Sequence, residues 1–168
     1  MRMKVTLVLS ILALALFAGC SNPVLGNAED AQAAALDFVG SGSAVSAEQI
    51  VDDGFDVYQV MVAMPNGAEL EVVLFVETGE LYEIKDVAGP FDYDMTPLPG
   101  HDSYATARGR VLEATPGTIE AWEIKLLPDQ DRYFYEFYVR DDGGQLYEVK
   151  HYADTGEMIS FEAVAMMD

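Results

Sequence analysis

One stretch of this chain occurs twice. Shifted 77 residues along itself, the sequence aligns without a gap. Tyr58 and Val62 fall on Tyr135 and Val139, Gly67 on Gly144, Glu71-Val72 on Glu148-Val149, and Thr78-Gly79-Glu80 on Thr155-Gly156-Glu157. In the same register Gly40 falls on Gly117, Asp52 on Asp129 and Ala28 on Ala105. Several of these are turn residues, where the same residue imposes the same backbone geometry. A chain built from a duplicated small unit inherits the architecture of that unit. It points towards a binding or scaffolding module and away from a single catalytic centre.

The unit is legible from its periodicities. Ala31, Ala35, Leu36, Phe38 and Val39 form a helical stripe over 28–39, with Asn27 as N-cap, Glu29 and Asp30 in the first turn, and Gly40 as the stop. Extended stretches follow at 44–51, 55–64, 70–76 and 80–84, separated by Asp52-Asp53-Gly54, Pro65-Asn66-Gly67 and Glu77-Thr78-Gly79. The second copy predicts a helix over 104–114, capped by Asp102 or Ser103 and stopped at Pro116-Gly117, then strands at 120–127, 132–140, 145–153 and 157–161. The expected fold class is α+β: two tandem repeats, each one helix packed on a small antiparallel β-sheet. The first repeat is placed at 28–85 and the second at 104–162. Residues 86–103, with three Pro and two Gly, form the linker, and 163–168 a C-terminal tail. Phe91 and Tyr93 make that linker aromatic enough to pack against the body.

Residues 1–20 read as a targeting segment. Arg2 and Lys4 precede an apolar run from Val5 to Phe17, too short for a permanent membrane span. The run ends in Leu16-Phe17-Ala18-Gly19-Cys20, which resembles a bacterial lipobox. Cys20 is the only cysteine, so it is the expected lipidation site, and the mature chain would have no thiol, disulfide or cysteine metal site. Residues 21–27 read as a tether to the first repeat. The expected location is the cell envelope, outside the cytoplasm, with the chain held to the membrane by lipid.

Formal net charge is −20, and −22 once Arg2 and Lys4 are removed. Residues 21–103 hold 16 acids and the single base Lys85. This excludes nucleic acid as a partner and sets the body of the protein against an anionic bilayer. The two histidines, His101 and His151, fall in the linker and on a predicted core face, and no nucleophile motif, phosphate loop or His/Cys metal spacing accompanies them. Asp52-Asp53-x-x-Asp56, Asp92-x-Asp94 and Asp129-x-Asp131 lack the glycine and glutamate of a calcium loop. No enzyme activity, cofactor or metal is expected.

The repeated string consists of Tyr-x-Val/Phe-x-Val, a Gly nine residues after the Tyr, Glu-Val, then an acid-Thr-Gly-Glu followed by an apolar residue. It resembles the PepSY domain. The second copy is closer, with Gly144-Gln-Leu-Tyr-Glu-Val149 and Ala153-Asp-Thr-Gly-Glu-Met158. The first departs, with Leu70 in place of the Tyr and Val76-Glu77 before Thr78-Gly79. The resemblance implies a helix laid on a small antiparallel sheet, an extracytoplasmic and often anchored protein, and a role in inhibiting or regulating a peptidase.

Strand alternation assigns two faces. Tyr58, Val60, Val62, Met64, Leu70, Val72, Leu74 and Val76 belong under the first helix, and Tyr135, Phe137, Val139, Tyr147, Val149, His151 and Ala153 under the second. The opposite face mixes Met61, Val73, Phe75, Phe134, Tyr138 and Tyr152 with Glu71, Glu136, Arg140, Glu148 and Lys150. Either the two sheets cover each other there, or the linker lies across one of them, or the face binds a partner through Phe75, Phe134, Tyr138 and Tyr152. The functional expectation is a non-enzymatic lipid-anchored envelope protein that binds another envelope protein, with a peptidase as candidate. The alternative is a structural lipoprotein or one that binds a small ligand or cation.

Overall fold

The computed structural model describes residues 24–165. Cys20 and the stretch read as a targeting segment lie outside the described residues. Helix α1 spans Ala28–Val39. The Asn27 side chain accepts from the N–H groups of Glu29 and Asp30 at 2.8 and 3.0 Å, and Gly40 closes the helix at φ +76°. Within the segment read as a tether, Leu25 is buried and its N–H donates to the Val76 carbonyl at 3.0 Å, so the fold begins ahead of the helix. Helix α2 spans Tyr104–Ala114, with the Ser103 hydroxyl accepting from the Thr106 N–H and Thr115 ending it ahead of Pro116.

Four strands follow each helix: β1 (Ser43–Asp52), β2 (Phe55–Ala63), β3 (Glu69–Phe75) and β4 (Leu81–Ala88) after α1, and β5 (Gly117–Leu127), β6 (Arg132–Asp141), β7 (Leu146–Tyr152) and β8 (Met158–Ala163) after α2. All neighbours pair antiparallel, and the order across the sheet is the order along the chain. The β1–β2 turn shows how local chemistry selects the register. Asp53 and Gly54 both take positive φ, 48° and 87°, as a two-residue turn matched to strand twist requires.

The two sheets expected from the repeats are one eight-stranded sheet. They do not face each other; they join edge to edge through β4 and β5. Three pairs make the ladder: Glu83 with Lys125, Ile84 with Ile124, and Lys85 with Glu123. The physical reason is visible in the residues. Strand β4 runs past Ile84 into the segment read as linker, and an exposed edge there would leave its backbone groups unpaired. Opposite charges face each other on one side of the seam, and two fully buried isoleucines meet on the other. The Tyr133 hydroxyl donates to the Leu81 carbonyl and the Trp122 N–H to the Asp86 carboxylate, adding two links across the same line.

One side of the sheet is covered by the helices and the linker, except at β8, whose residues are mostly exposed. Helix α1 lies over β1, β2 and β3, and α2 lies over β6. The linker fills the space between the helices rather than crossing the other face. Phe91, Tyr93, Met95 and Leu98 pack into the core, Trp122 Nε1 donates to the Tyr93 hydroxyl at 2.8 Å, and Tyr104 meets the Tyr93 and Trp122 rings at centroid distances of 5.0 and 4.5 Å. The residues assigned by alternation to the helix side are all buried or packed against this single core. His151 is among them, 2% exposed, with the Tyr135 and Phe137 rings against it; burial holds its imidazole below the ordinary histidine range.

The open face of the sheet, a candidate binding surface

Among the described residues, neither helix nor the linker lies on the opposite face, and register lines its side chains into rows. One row crosses seven strands: Met61, Glu71, Lys85, Glu123, Glu136, Lys150 and Ser160. The next reads Gln59, Val73, Glu83, Lys125, Phe134 and Tyr152. A third holds Ala121, Tyr138, Glu148 and Glu162. Neighbouring side chains on a sheet face shield one another, so Glu71, Glu83 and Glu136 are buried although no described helix or linker covers them.

Three lysines serve this carboxylate field. Lys85 Nζ lies 2.6 Å from Glu71 and 3.6 Å from Glu83. Lys125 Nζ lies 3.3 Å from Glu83 and 3.2 Å from Asp53. Lys150 Nζ lies 2.8 Å from Glu136 and 3.0 Å from Glu148. Glu123, beside the seam, has no ion pair among the described residues and stands directly opposite Glu136. Burial first, and then the charges of Glu83 and Glu136, push its carboxyl up to about 7. Like charges directly opposite on paired strands are destabilising, so this point of the face is held at an energetic disadvantage.

The aromatic residues fall into two groups. Phe134 and Tyr152 are cross-strand neighbours on β6 and β7, and Tyr138 lies on the same face of β6. Each of the three is engaged by a polar partner. Lys150 stands 5.8 Å from the Phe134 ring, Arg132 lies 3.5 Å from the Tyr152 ring, and the Tyr138 hydroxyl donates to Glu148 at 3.1 Å. The Tyr152 hydroxyl donates to the Gln130 side chain at 3.1 Å. Phe75 is separate. It packs against Phe55 and Tyr82 at 5.4 and 5.2 Å, over a small second cluster of Val57, Val73 and Tyr82. That corner borders a cleft of about 400 Å³ edged by Asp56, Glu77 and Glu80. The face therefore sets Phe134 and Tyr152 side by side, places Tyr138 beyond the Glu136–Lys150 pair on the same face, and puts Phe75 with Phe55 instead.

The sequence reading missed the middle of the face. Tyr82 and Glu83 reach it from β4 beside β3, and Glu123 and Lys125 join them because β4 pairs with β5. The Tyr82 hydroxyl donates to Asp53 at 2.8 Å, which together with Lys125 holds the Asp53 carboxyl below its usual range. Chemically, the surface offers acceptors in excess of donors and flat aromatic area between them. Among the described residues no group of three or more His, Cys, Asp or Glu side chains is arranged to hold a metal ion. Nor is any described helix long and apolar enough to cross a membrane.

Residues 103–162 match the family described as peptidase propeptide and YPEB domain, PepSY. This stretch is similar to PepSY domains. The match takes in α2 and β5 to β8, and with them Phe134, Tyr138, Tyr152 and the Glu136–Lys150–Glu148 cluster. Phe75 and Tyr82 lie outside it. A solved structure from Clostridium difficile 630, described as a “putative lipoprotein”, aligns with 86% of this chain and 99% of its own at 19% identity and a TM-score of 0.39. No curated protein matches the chain.

Proposed function

We propose that this chain is a non-enzymatic lipid-anchored protein of the cell envelope, acylated at Cys20, that binds another envelope protein through the open face of its sheet. A peptidase that the bound chain restrains is the leading candidate partner. One observation carries the reading: the α2 side of the PepSY-like unit is filled by its own helix, while the other side leaves Tyr138 and Tyr152 half-buried beside a buried Phe134, among carboxylates and with no other described element above them. Mixed aromatic and charged surface of this kind supplies anchors at the centre and specificity at the rim. The excess of carboxylates makes a basic surface the complementary one.

Two tandem PepSY-like units, 28–85 and 104–162, are part of the same proposal. Support comes from the element order, a helix and four strands in each, and from β3 and β7, whose bounds differ by the 77-residue sequence offset. The first unit then extends the binding face beyond the PepSY domain across the seam.

The test is crosslinking and capture from native membranes, comparing wild type with the Tyr138→Ala/Tyr152→Ala double variant. Both side chains lie on the open face outside the core, so the variant is expected to keep its circular dichroism spectrum. A peptidase captured by wild type, slowed by the purified protein and lost by the folded variant supports the reading. A partner captured equally by both forms removes the open face from it. A small molecule or cation that raises the melting temperature in a concentration-dependent manner would favour a ligand-binding lipoprotein instead.

A further inference from the structure

Seven lysines and arginines fall within the described residues, against a large excess of acids. Six of them, Lys85, Arg110, Lys125, Arg132, Arg140 and Lys150, form ion pairs. Arg108 forms none. Its Nε is sealed from water and has no acceptor. A buried guanidinium N–H without a partner is destabilising by more than a lost neutral hydrogen bond. In so acidic a chain an idle arginine stands out.

Its surroundings have a shape. Arg108 lines a cleft of about 310 Å³ whose other walls include Phe91, Leu112 and Ile119, all apolar. Asp92 is the one carboxylate on the rim, and the Asn66 side-chain amide donates to its Oδ1 at 2.7 Å. The cleft opens where the sheet splits. Strand β4 stays with β3 as far as Ala88, and β5 stays with β6 from Gly117, yet the two pair only over Glu83–Lys85 and Lys125–Glu123. Beyond that, the Asp86 carboxylate takes the Trp122 N–H, and Gly117 to Ala121 have no strand on their β4 side. Gly117 is required there, because a Cβ would come 2.2 Å from the Arg140 carbonyl oxygen.

We infer that this split is a receptor for the C-terminal end of an extended peptide. The terminal carboxylate pairs with the Arg108 guanidinium, the last apolar side chain enters between Phe91, Leu112 and Ile119, and the peptide backbone lies along the unpaired edge of β5. Each part of the ligand answers a feature of the site: a planar anion for the unpaired fork, an apolar group for walls that hold a single side chain, and backbone donors and acceptors for a free strand edge. A basic ligand is disfavoured because Arg108 heads the cleft. This inference uses the helix-side end of the seam and does not depend on the open-face reading.

The probe is the acetylated tripeptide Ala-Val-Leu, with a free C-terminal carboxylate and, separately, as its C-terminal amide. Each is titrated into the ¹⁵N-labelled protein while the Arg108 Nε–Hε resonance is followed. The expected result is a saturable shift with the acid, binding about tenfold or more weaker with the amide, and loss of the acid's binding in Arg108→Gln with the fold intact. Equal binding of acid and amide, absence of binding by both, or retention in Arg108→Gln overturns the proposal. So does a shift of the same resonance on Asp92→Asn in the peptide-free protein, because Arg108 would then already be paired with Asp92 in solution.

Discussion

Glu123 shows how much a single position on an open sheet face can be perturbed without a cavity. Its carboxyl, ordinarily at 4.5, is pushed up to about 7 because burial and two neighbouring carboxylates penalise its charge. The folded chain therefore holds this proton more tightly than the unfolded chain. Its contribution to stability is fully present below pH 4.5 and is lost as pH rises through about 7. Glu123→Gln removes the titrating group and keeps the shape. Thermal melts between about pH 4 and pH 8 should show the variant gaining on wild type as pH rises, with the difference largest above neutrality. Parallel curves for the two proteins would mean that Glu123 titrates at its ordinary value. Lys85 stands opposite Glu123 in register, yet its ammonium goes to Glu71 and Glu83 on its own side of the seam.

Among the elements, the seam separates what local pattern reveals from what it cannot. Both helices, their caps, and seven of the eight strands could be read to within a few residues, because alternation, cap residues and turn glycines are properties of consecutive residues. So could the helix-side core from Tyr58 to Ala153. Strand β4 was read short, ending at Ile84, since Lys85-Asp86-Val87-Ala88 alternates poorly and leads into proline-rich chain. Pairing of β4 with β5 joins residues about forty apart, and no local periodicity records which edge meets which. The missed half of the open face, with Glu83, Glu123 and Lys125, follows from that one omission. The candidate anchors Phe134, Tyr138 and Tyr152 were legible because they share one hairpin, whereas the association of Phe75 with Phe55 and Tyr82 depends on three strands. If the seam is a true core junction, Ile124→Ala should destabilise the whole molecule by about 2–5 kcal/mol and leave a single unfolding transition by circular dichroism and Trp122 fluorescence. Two separated transitions, with only the second half weakened, would show that the halves fold independently.

For the whole molecule, charge and topology set the behaviour. Acids outnumber bases 29 to 9, and the ion pairs that six cations make among the described residues leave most carboxylates without a counterion. Self-repulsion of this kind is screened by salt, with a Debye length of about 10 Å at 0.1 M falling to about 3 Å at 1 M. The melting temperature is therefore expected to rise on going from about 50 mM to about 0.5 M sodium chloride, the reverse of a protein held together by surface ion pairs. A fall would mean that the lysine–carboxylate clusters of the open face outweigh the repulsion.

A sheet whose strand order follows the chain has a further property, which concerns force. Strand β8 lies alone at one edge, bound only to β7, and each strand removed leaves the next as the new edge. A pull on the C-terminus across the strands would break the ladder one hydrogen bond at a time rather than shear many at once. Unravelling would pass through β7, β6 and β5 to the short junction of β4 with β5, where the ladder is thinnest. If the chain is fixed at its other end, such a load would strip the C-terminal half strand by strand, while the half nearer the fixed end keeps its strands.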